Sequence, residues 1–279
     1  MQNRIVTNAR IADYGEYMIR EEKSLLTQEK YLRDIRAFQE FVGRRSVTKE
    51  LVMQYKQQCM ESGYAVRSIN SMLASINSFL AFLGWHECRV KNVRCQQQIY
   101  CPEDKELTKA EYMRLLEAAR QNPQFHLVIQ TICGTGIRVS ELQFFTVEAV
   151  RQGEVSVRCK NKIRTVLIPG KLRKLLLGYI KKQKLSSGVV FRCKNGKPLD
   201  RSMIWRKMKQ LCRAAGVMAS KVFPHNLRKL FARTFYSLEK DIAKLADILG
   251  HSSINTTRIY IMTTGMEHRR QIERLRLVL

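Results

Sequence analysis

The chain has 279 residues, 50 of them Lys or Arg against 24 Asp or Glu, for a formal net charge of +26. That length holds one large or two medium domains with their own cores, and that charge makes a polyanion the first partner to consider, since Lys and Arg that neutralise phosphates release condensed counterions. No apolar run approaches the ~18 residues that span a bilayer, the N-terminus lacks the apolar core of a signal peptide, and the eight cysteines form no Cys-x-x-Cys pair, so a cytoplasmic chain with reduced thiols and no membrane partner is expected.

The N-terminal third reads as four short helices. The first lies near Ala9 to Glu22. "TQEKYLRDIRAFQEFVG" opens on Thr27 as N-cap, sets Tyr31, Ile35, Phe38 and Phe41/Val42 on one face and closes on Gly43. "VTKELVMQYKQQCMESG" repeats the design between Thr48 and Gly63, and "VRSINSMLASINSFLAFLGW" carries Ile69, Met72/Leu73, Ile76 and Leu80 at helical spacing. Such a set forms a small bundle. After Gly84 the period lapses, and residues 95–106 read as a linker between a domain of residues 1–94 and one of residues 107–279. His86, Cys88, Cys95 and Cys101 match no common zinc spacing, so no metal is expected there.

Thr108 caps the next helix. The valine-rich "TVEAVRQGEVSVRCKNKIRTVLIPG" alternates in its middle and turns at Gln152-Gly153 and Asn161-Lys162, which predicts a three-stranded antiparallel meander. Helical patterns resume over 171–184, 201–215, 224–238, 241–249, about 253–262 and 265–279. The fold class expected is mainly α with a small three-stranded sheet.

Four constellations carry chemistry. In "LGHSSINTTRIY", His251 and Tyr260 would point apart on one helix at about 100° per residue. They meet only if Gly250 stops one helix and Ser252 or Ser253 caps the next. Tyr260 has Thr256, Thr257, Thr263 and Thr264 at its i±3 and i±4 positions and Ile254 and Ile261 to one side, which suggests a phenol at a polar surface rather than a core aromatic. In "FPHNLRKLFARTFYSL", His225 and Arg228 flank a stripe of Leu227, Leu230, Phe231, Phe235 and Leu238, with Ala232 leaving room one turn on. In "CGTGIRVSEL", Arg138 follows two glycines at a helix start, a phosphate site if its amides are open. "CKNKIR" puts Lys160 and Lys162 at a hairpin tip. Each has a plain alternative as a core or solvated side chain.

Together and in this order, "TGIRVSEL", "HNLRKLFA" and "LGHSSINTTRIY" resemble the boxes of the tyrosine recombinase family, the phage integrases and Xer-type recombinases, and the resemblance extends over the whole chain. It implies a two-domain DNA clamp, with a four-helix core-binding (SAM-like) domain before a catalytic domain. It implies a site-specific recombinase, acting by integration, excision, inversion or resolution through a 3′-phosphotyrosyl intermediate. Tyr260 would be the nucleophile, Arg138 and Arg228 the phosphate clamps, His225 and His251 the supporting imidazoles. Lys160 would be the leaving-group acid, with Lys162 in reserve because "CKNKIR" is one residue shorter between its lysines than the usual G-K-G-x-K-x-R. DNA contacts are expected from Lys30, Arg33, Arg36, Arg67, Asn70, Arg201, Arg206, Lys207 and Lys209. The implied partners are a double-stranded DNA site and further copies of the chain, a dimer per site and a tetramer in synapsis, assembled through a C-terminal exchange helix at 265–279. An accessory directionality factor and a nucleoid association belong to the same picture. No cofactor is implied. A type IB topoisomerase and a catalytically silent DNA-binding relative are the competing readings.

Overall fold

The structure, a computed structural model of the chain, describes residues 4–94, 105–159, 162–262, 269–270 and 272–275. It divides into two compact units, Met1–Gln97 and Gln98–Leu279.

The first unit contains helices α1 (Asn8–Arg20), α2 (Leu25–Val42), α3 (Lys49–Glu61) and α4 (Val66–Phe82). Thr7 and Thr48 cap α1 and α3 by accepting from the Arg10 and Leu51 amides. Helix α2 begins earlier than its sequence suggests. Ser24 takes the N-cap position, and the Oγ of Ser24 lies 2.9 Å from the Oγ1 of Thr27, which therefore sits in the first turn. The periodic positions do bury: Ile35, Phe38, Ile69, Leu73, Ile76 and Leu80 are all within the core. A polar network crosses it, in which Lys30 Nζ donates to Asp34 Oδ2 (2.6 Å), Ser71 O (2.8 Å) and Ser75 Oγ (2.9 Å). This ties α2 to α4 and neutralises the buried Asp34.

The second unit is also mainly helical. Its elements are α5 (Lys109–Ala118), α6 (Pro123–Thr135), α7 (Val147–Gln152), β1 (Glu154–Cys159), β2 (Lys162–Leu167), α8 (Gly170–Lys182), α9 (Arg201–Ala215), α10 (Pro224–Glu239), α11 (Ile242–Leu249) and α12 (Ile254–Tyr260). Thr108 and Glu111 form a full capping box on α5.

The expected three-stranded sheet is corrected to two strands among the described residues, paired antiparallel from Glu154↔Leu167 to Cys159↔Lys162. The segment taken as its first strand is α7. Thr146 Oγ1 accepts from the Ala149 amide at 3.2 Å, Val147 and Val150 bury three residues apart, and Gly153 at φ 90° ends the turn. Capping outweighs the β propensity of valine over so short a stretch. On α10, Leu227 and Leu230 are buried as expected, whereas Leu238 is 79% exposed, beyond Phe235 and Tyr236, the last residues of the helix packed on a core.

Candidate active site

Four chain segments place their functional groups together in the second unit. Helix α6 ends at Gly136, whose φ of +65° suits a residue without Cβ, and a Cβ there would lie 2.4 Å from Phe231 Cδ1. The reversal delivers Arg138 to the start of a 3₁₀ turn, Val139–Phe144. Glu141, almost fully buried, accepts from the Arg138 amide at 2.7 Å and from its Nη1 at 2.9 Å. The open amide expected at this helix start is thus occupied by a carboxylate, and it is the Arg138 side chain, 36% exposed, that remains toward solvent.

Pro224 opens α10 at its first turn and brings His225 and Arg228 onto one side. Arg228 is 1% exposed. It donates to Gly136 O, to Leu249 O at 2.7 Å and to His251 Nε2 at 3.0 Å, while its Nε has no partner among the described atoms. Burial and then Arg138 lower this guanidinium to about 10, which leaves it charged at neutral pH.

Gly250 ends α11 in the left-handed region at φ +64°, and Ser253 caps α12. His251 therefore stands in the turn between two helices, as its separation from Tyr260 requires. Its Nδ1 lies 2.8 Å from Oγ1 of the fully buried Thr257. Burial, then Arg228, Arg138, Arg164 and His225, depress the His251 imidazole to about 4. His225 is lowered to about 4 as well, by partial enclosure and then by Lys229, Arg228, Arg138 and Arg201. Its side chain stays open to solvent, so the cationic neighbours are the firmer cause. Both imidazoles are neutral at pH 7.

Both histidine rings lie close to Tyr260, each with its centroid 4.9 Å from the phenol ring, and the Arg228 guanidinium carbon lies 5.8 Å from the same ring. Tyr260 itself is 7% exposed and packs in a small cluster with Ala232, Leu245 and Leu249. The expectation of a phenol at a polar surface is corrected on this point. The room beside Ala232 belongs to an apolar cluster, and only the basic flank of the tyrosine follows the sequence reading. Ile254 is half exposed, while Ile261 packs against the cluster.

Sequence reasoning missed three supporting groups. Glu141 was visible only as an isolated acid, Thr257 only as a small polar neighbour. Arg164 on β2 donates to Glu141 Oε2 at 2.6 Å and to Ile248 O at 2.8 Å. A carboxylate three residues after Arg138 was the one available signal, since that offset closes a capping box. Lys160 lies outside the described residues, and of Lys162 only the backbone, as the first residue of β2, is described.

A family profile for the phage integrase N-terminal SAM-like domain matches residues 11–87, and the phage integrase family profile matches residues 105–265. The chain belongs to the phage integrase family. It is one of the tyrosine recombinases, enzymes that cut and rejoin DNA in site-specific recombination. Tyrosine recombinase XerA of Pyrococcus furiosus is 28% identical over 100% of this chain and 98% of its own length, and tyrosine recombinase XerC of Roseiflexus castenholzii is 30% identical over 82% and 81%. Among solved structures, a lambda integrase(75-356) dimer bound to a COC' core site has the same fold, with a TM-score of 0.74 at 17% identity over 93% of this chain and 96% of that one.

In this integrase-family chain the nine expected DNA-contact residues separate into two groups. Lys30 is engaged by Asp34, Ser71 and Ser75, and Asn70 holds the Val93 backbone through both its amide atoms. Both already have structural partners inside the first unit. Arg33, Arg36 and Arg67 are exposed, and Arg33 and Arg67 border a groove of ≈ 550 Å³ with Tyr64. In the second unit Arg201 and Trp205 share a cleft of ≈ 310 Å³ with Arg138, His225 and Arg228. Arg206 is exposed. Lys207 reaches over Phe125 at 6.0 Å, and Lys209 over Trp205 at 5.1 Å while bonding Ala219 O. Among the described residues no three His, Cys, Asp or Glu side chains cluster as metal ligands, and no helix is long and apolar enough to cross a membrane.

Proposed function

We propose that Tyr260 is the nucleophile of this recombinase and that the cleft beside it holds the scissile DNA phosphate. The observation that carries this reading is the convergence of one guanidinium and two imidazoles on the Tyr260 ring. The phenolic oxygen attacks phosphorus, the P–O5′ bond breaks, and a 3′-phosphotyrosyl link forms as the 5′-oxygen leaves. Arg138 and Arg228 offset the charge on the non-bridging oxygens. Neutral His225 accepts a hydrogen bond from the phenol and takes its proton as the bond to phosphorus forms. Lys160, with Lys162 in reserve, protonates the leaving oxygen. The phosphodiester's energy is kept in the protein–DNA bond, so rejoining is the same displacement run backward.

Burial depresses the imidazoles first and the neighbouring cations second, and a phosphate between Arg138 and Arg228 would counter the cations. Protonation of His251 then becomes easier, and Arg228 Nη2 can exchange its bond to His251 for one to a phosphate oxygen, leaving His251 to donate.

In this reading residues 1–94 and 107–279 both grip the duplex, through Arg33, Arg36 and Arg67 in the first unit and Arg201, Arg206, Lys207 and Lys209 in the second. The solved lambda integrase neighbour is a dimer on its core site, and a dimer per site, pairing to a tetramer, is proposed here. Ile272 and Leu275 are exposed and would dock with Leu279 on a neighbouring copy. Leu279, like most of 265–279, lies outside the described residues.

The test uses a nicked, end-labelled half-site duplex built on the sequence that the full-length protein selects from random DNA. A covalent protein–DNA adduct with the wild type and none with Tyr260→Phe supports the assignment. An adduct that persists in Tyr260→Phe, or none with any selected duplex, overturns it.

A further inference from the structure

Arg138 is held at both ends. Glu141 takes its amide and its Nη1, and Gly250 O accepts from its Nη2 at 3.3 Å. Arg164 in turn holds both of these holders. Its Nη2 donates to Glu141 Oε2 at 2.6 Å, and its Nη1 donates to Ile248 O, two residues before Gly250, at 2.8 Å. Its stem also lies against Gly250 so closely that a Cβ on that glycine would come within 2.5 Å of Arg164 Cδ. Arg164 is 15% exposed, and the Glu141 side chain 3%.

The charges matter as much as the contacts. Glu141 is buried between two guanidinia. With Arg164 in place, one positive charge offsets the carboxylate and the charge of the more exposed Arg138 is left over for a ligand. Without Arg164, Glu141, which already pairs with Arg138 at 2.9 Å, would keep only that guanidinium of the two, drawing it inward and neutralising it.

We infer that Arg164 is a positioning residue for Arg138, fixing the clamp's place and leaving its charge available for the scissile phosphate without itself touching DNA. This rests on the reading of Arg138 as a phosphate clamp. The arrangement also ties strand β2, which begins at Lys162, to the turn that carries His251. A shift in the hairpin is therefore felt at the clamp.

The experiment measures DNA affinity, melting temperature and the single-turnover rate of adduct formation on the selected nicked half-site for the wild type, Arg164→Ala, Arg138→Ala and the double variant. Arg164→Ala should bind DNA within about three-fold of the wild type and cleave at least about ten-fold more slowly, because a small misplacement of a clamp is costly. In the Arg138→Ala background the same change should cost less than about three-fold, since residues that act as one unit are non-additive. A scissile methylphosphonate, which lacks one charged oxygen, gives a second reading if Arg138→Ala is too slow to follow. On it the wild type and Arg164→Ala should differ by less than about three-fold, because little charge is left to clamp. If Arg164→Ala does not fold, Arg164→Lys keeps a charge beside Glu141 but loses the fork, and should show a smaller loss with the same pattern. Equal losses with and without Arg138, an undiminished loss on the methylphosphonate, or no loss at all would overturn the inference. A wild type that forms no adduct would instead sink the clamp assignment on which it depends.

Discussion

Arg228 Nη2 lies 3.0 Å from His251 Nε2, and because a guanidinium carries only donors, the imidazole nitrogen must be the acceptor. The His251 proton is then on Nδ1, facing Thr257 Oγ1 at 2.8 Å. The neutral histidine, the buried arginine and the threonine form one chain of hydrogen bonds with a fixed direction.

Acid should dismantle this chain. His225 and His251 titrate at about 4 in the folded protein against an ordinary value of 6.5. Between those values the unfolded chain binds the extra protons, so stability is full above about pH 6.5 and falls as the pH drops toward about 4. Thermal melts across that window should show the decline, and a His225→Gln/His251→Gln double variant should show a shallower one. Identical slopes would assign the loss to other groups.

Thr257→Val keeps the shape of a fully buried side chain but leaves the His251 Nδ1–H without an acceptor. The expected cost is about 1–3 kcal/mol in denaturant unfolding, with slower adduct formation. Thr257→Ser should recover most of both.

Gly136→Ala puts a Cβ 2.4 Å from Phe231 at a backbone φ of +65°. A loss of about 1–3 kcal/mol is expected from the strained backbone. Adduct formation should fall further than stability does, since the Gly136 carbonyl is also an acceptor for Arg228. A variant as active as the wild type would show that Arg228 holds its place without that carbonyl.

Lys30→Ala and Arg67→Ala should behave as opposites, although both remove one positive charge from the same face. Lys30 anchors Asp34 and Ser75, so its loss should lower the melting temperature. Exposed Arg67 should instead weaken DNA binding and reduce the salt slope by about one, with the melting temperature unchanged. Salt titrations and melts on the two variants separate the outcomes.

Much of this was legible in the chain. Gly250 and Ser253 bracket His251 because stop and cap signals are local, and the boxes around Arg138, His225, Arg228 and Tyr260 are contiguous words. What was hidden is long-range or short-lived in sequence. Arg164 meets Glu141 across 23 residues and Ile248 across 84, separations at which no periodicity speaks. Helix α7 is six residues long, too brief for its period to outvote its valines. Tyr260 was misjudged because its helical neighbours are polar, while the residues that cover it, Ala232 and Leu245, come from other helices. The partners of Asn70 and part of those of Lys30, Val93 and Ser75, arrive from distant parts of the chain, although Asp34 lies only four residues from Lys30.

The carbonyls that seat Arg228 come from Gly136, 92 residues upstream, and Leu249, 21 residues downstream. Neither can be offered until two separate helix ends have docked, so a nascent or partly unravelled polypeptide has no ordered cationic seat for a phosphate. If Arg228 clamps the scissile phosphate as proposed, DNA cleavage waits on the tertiary docking of both helix ends.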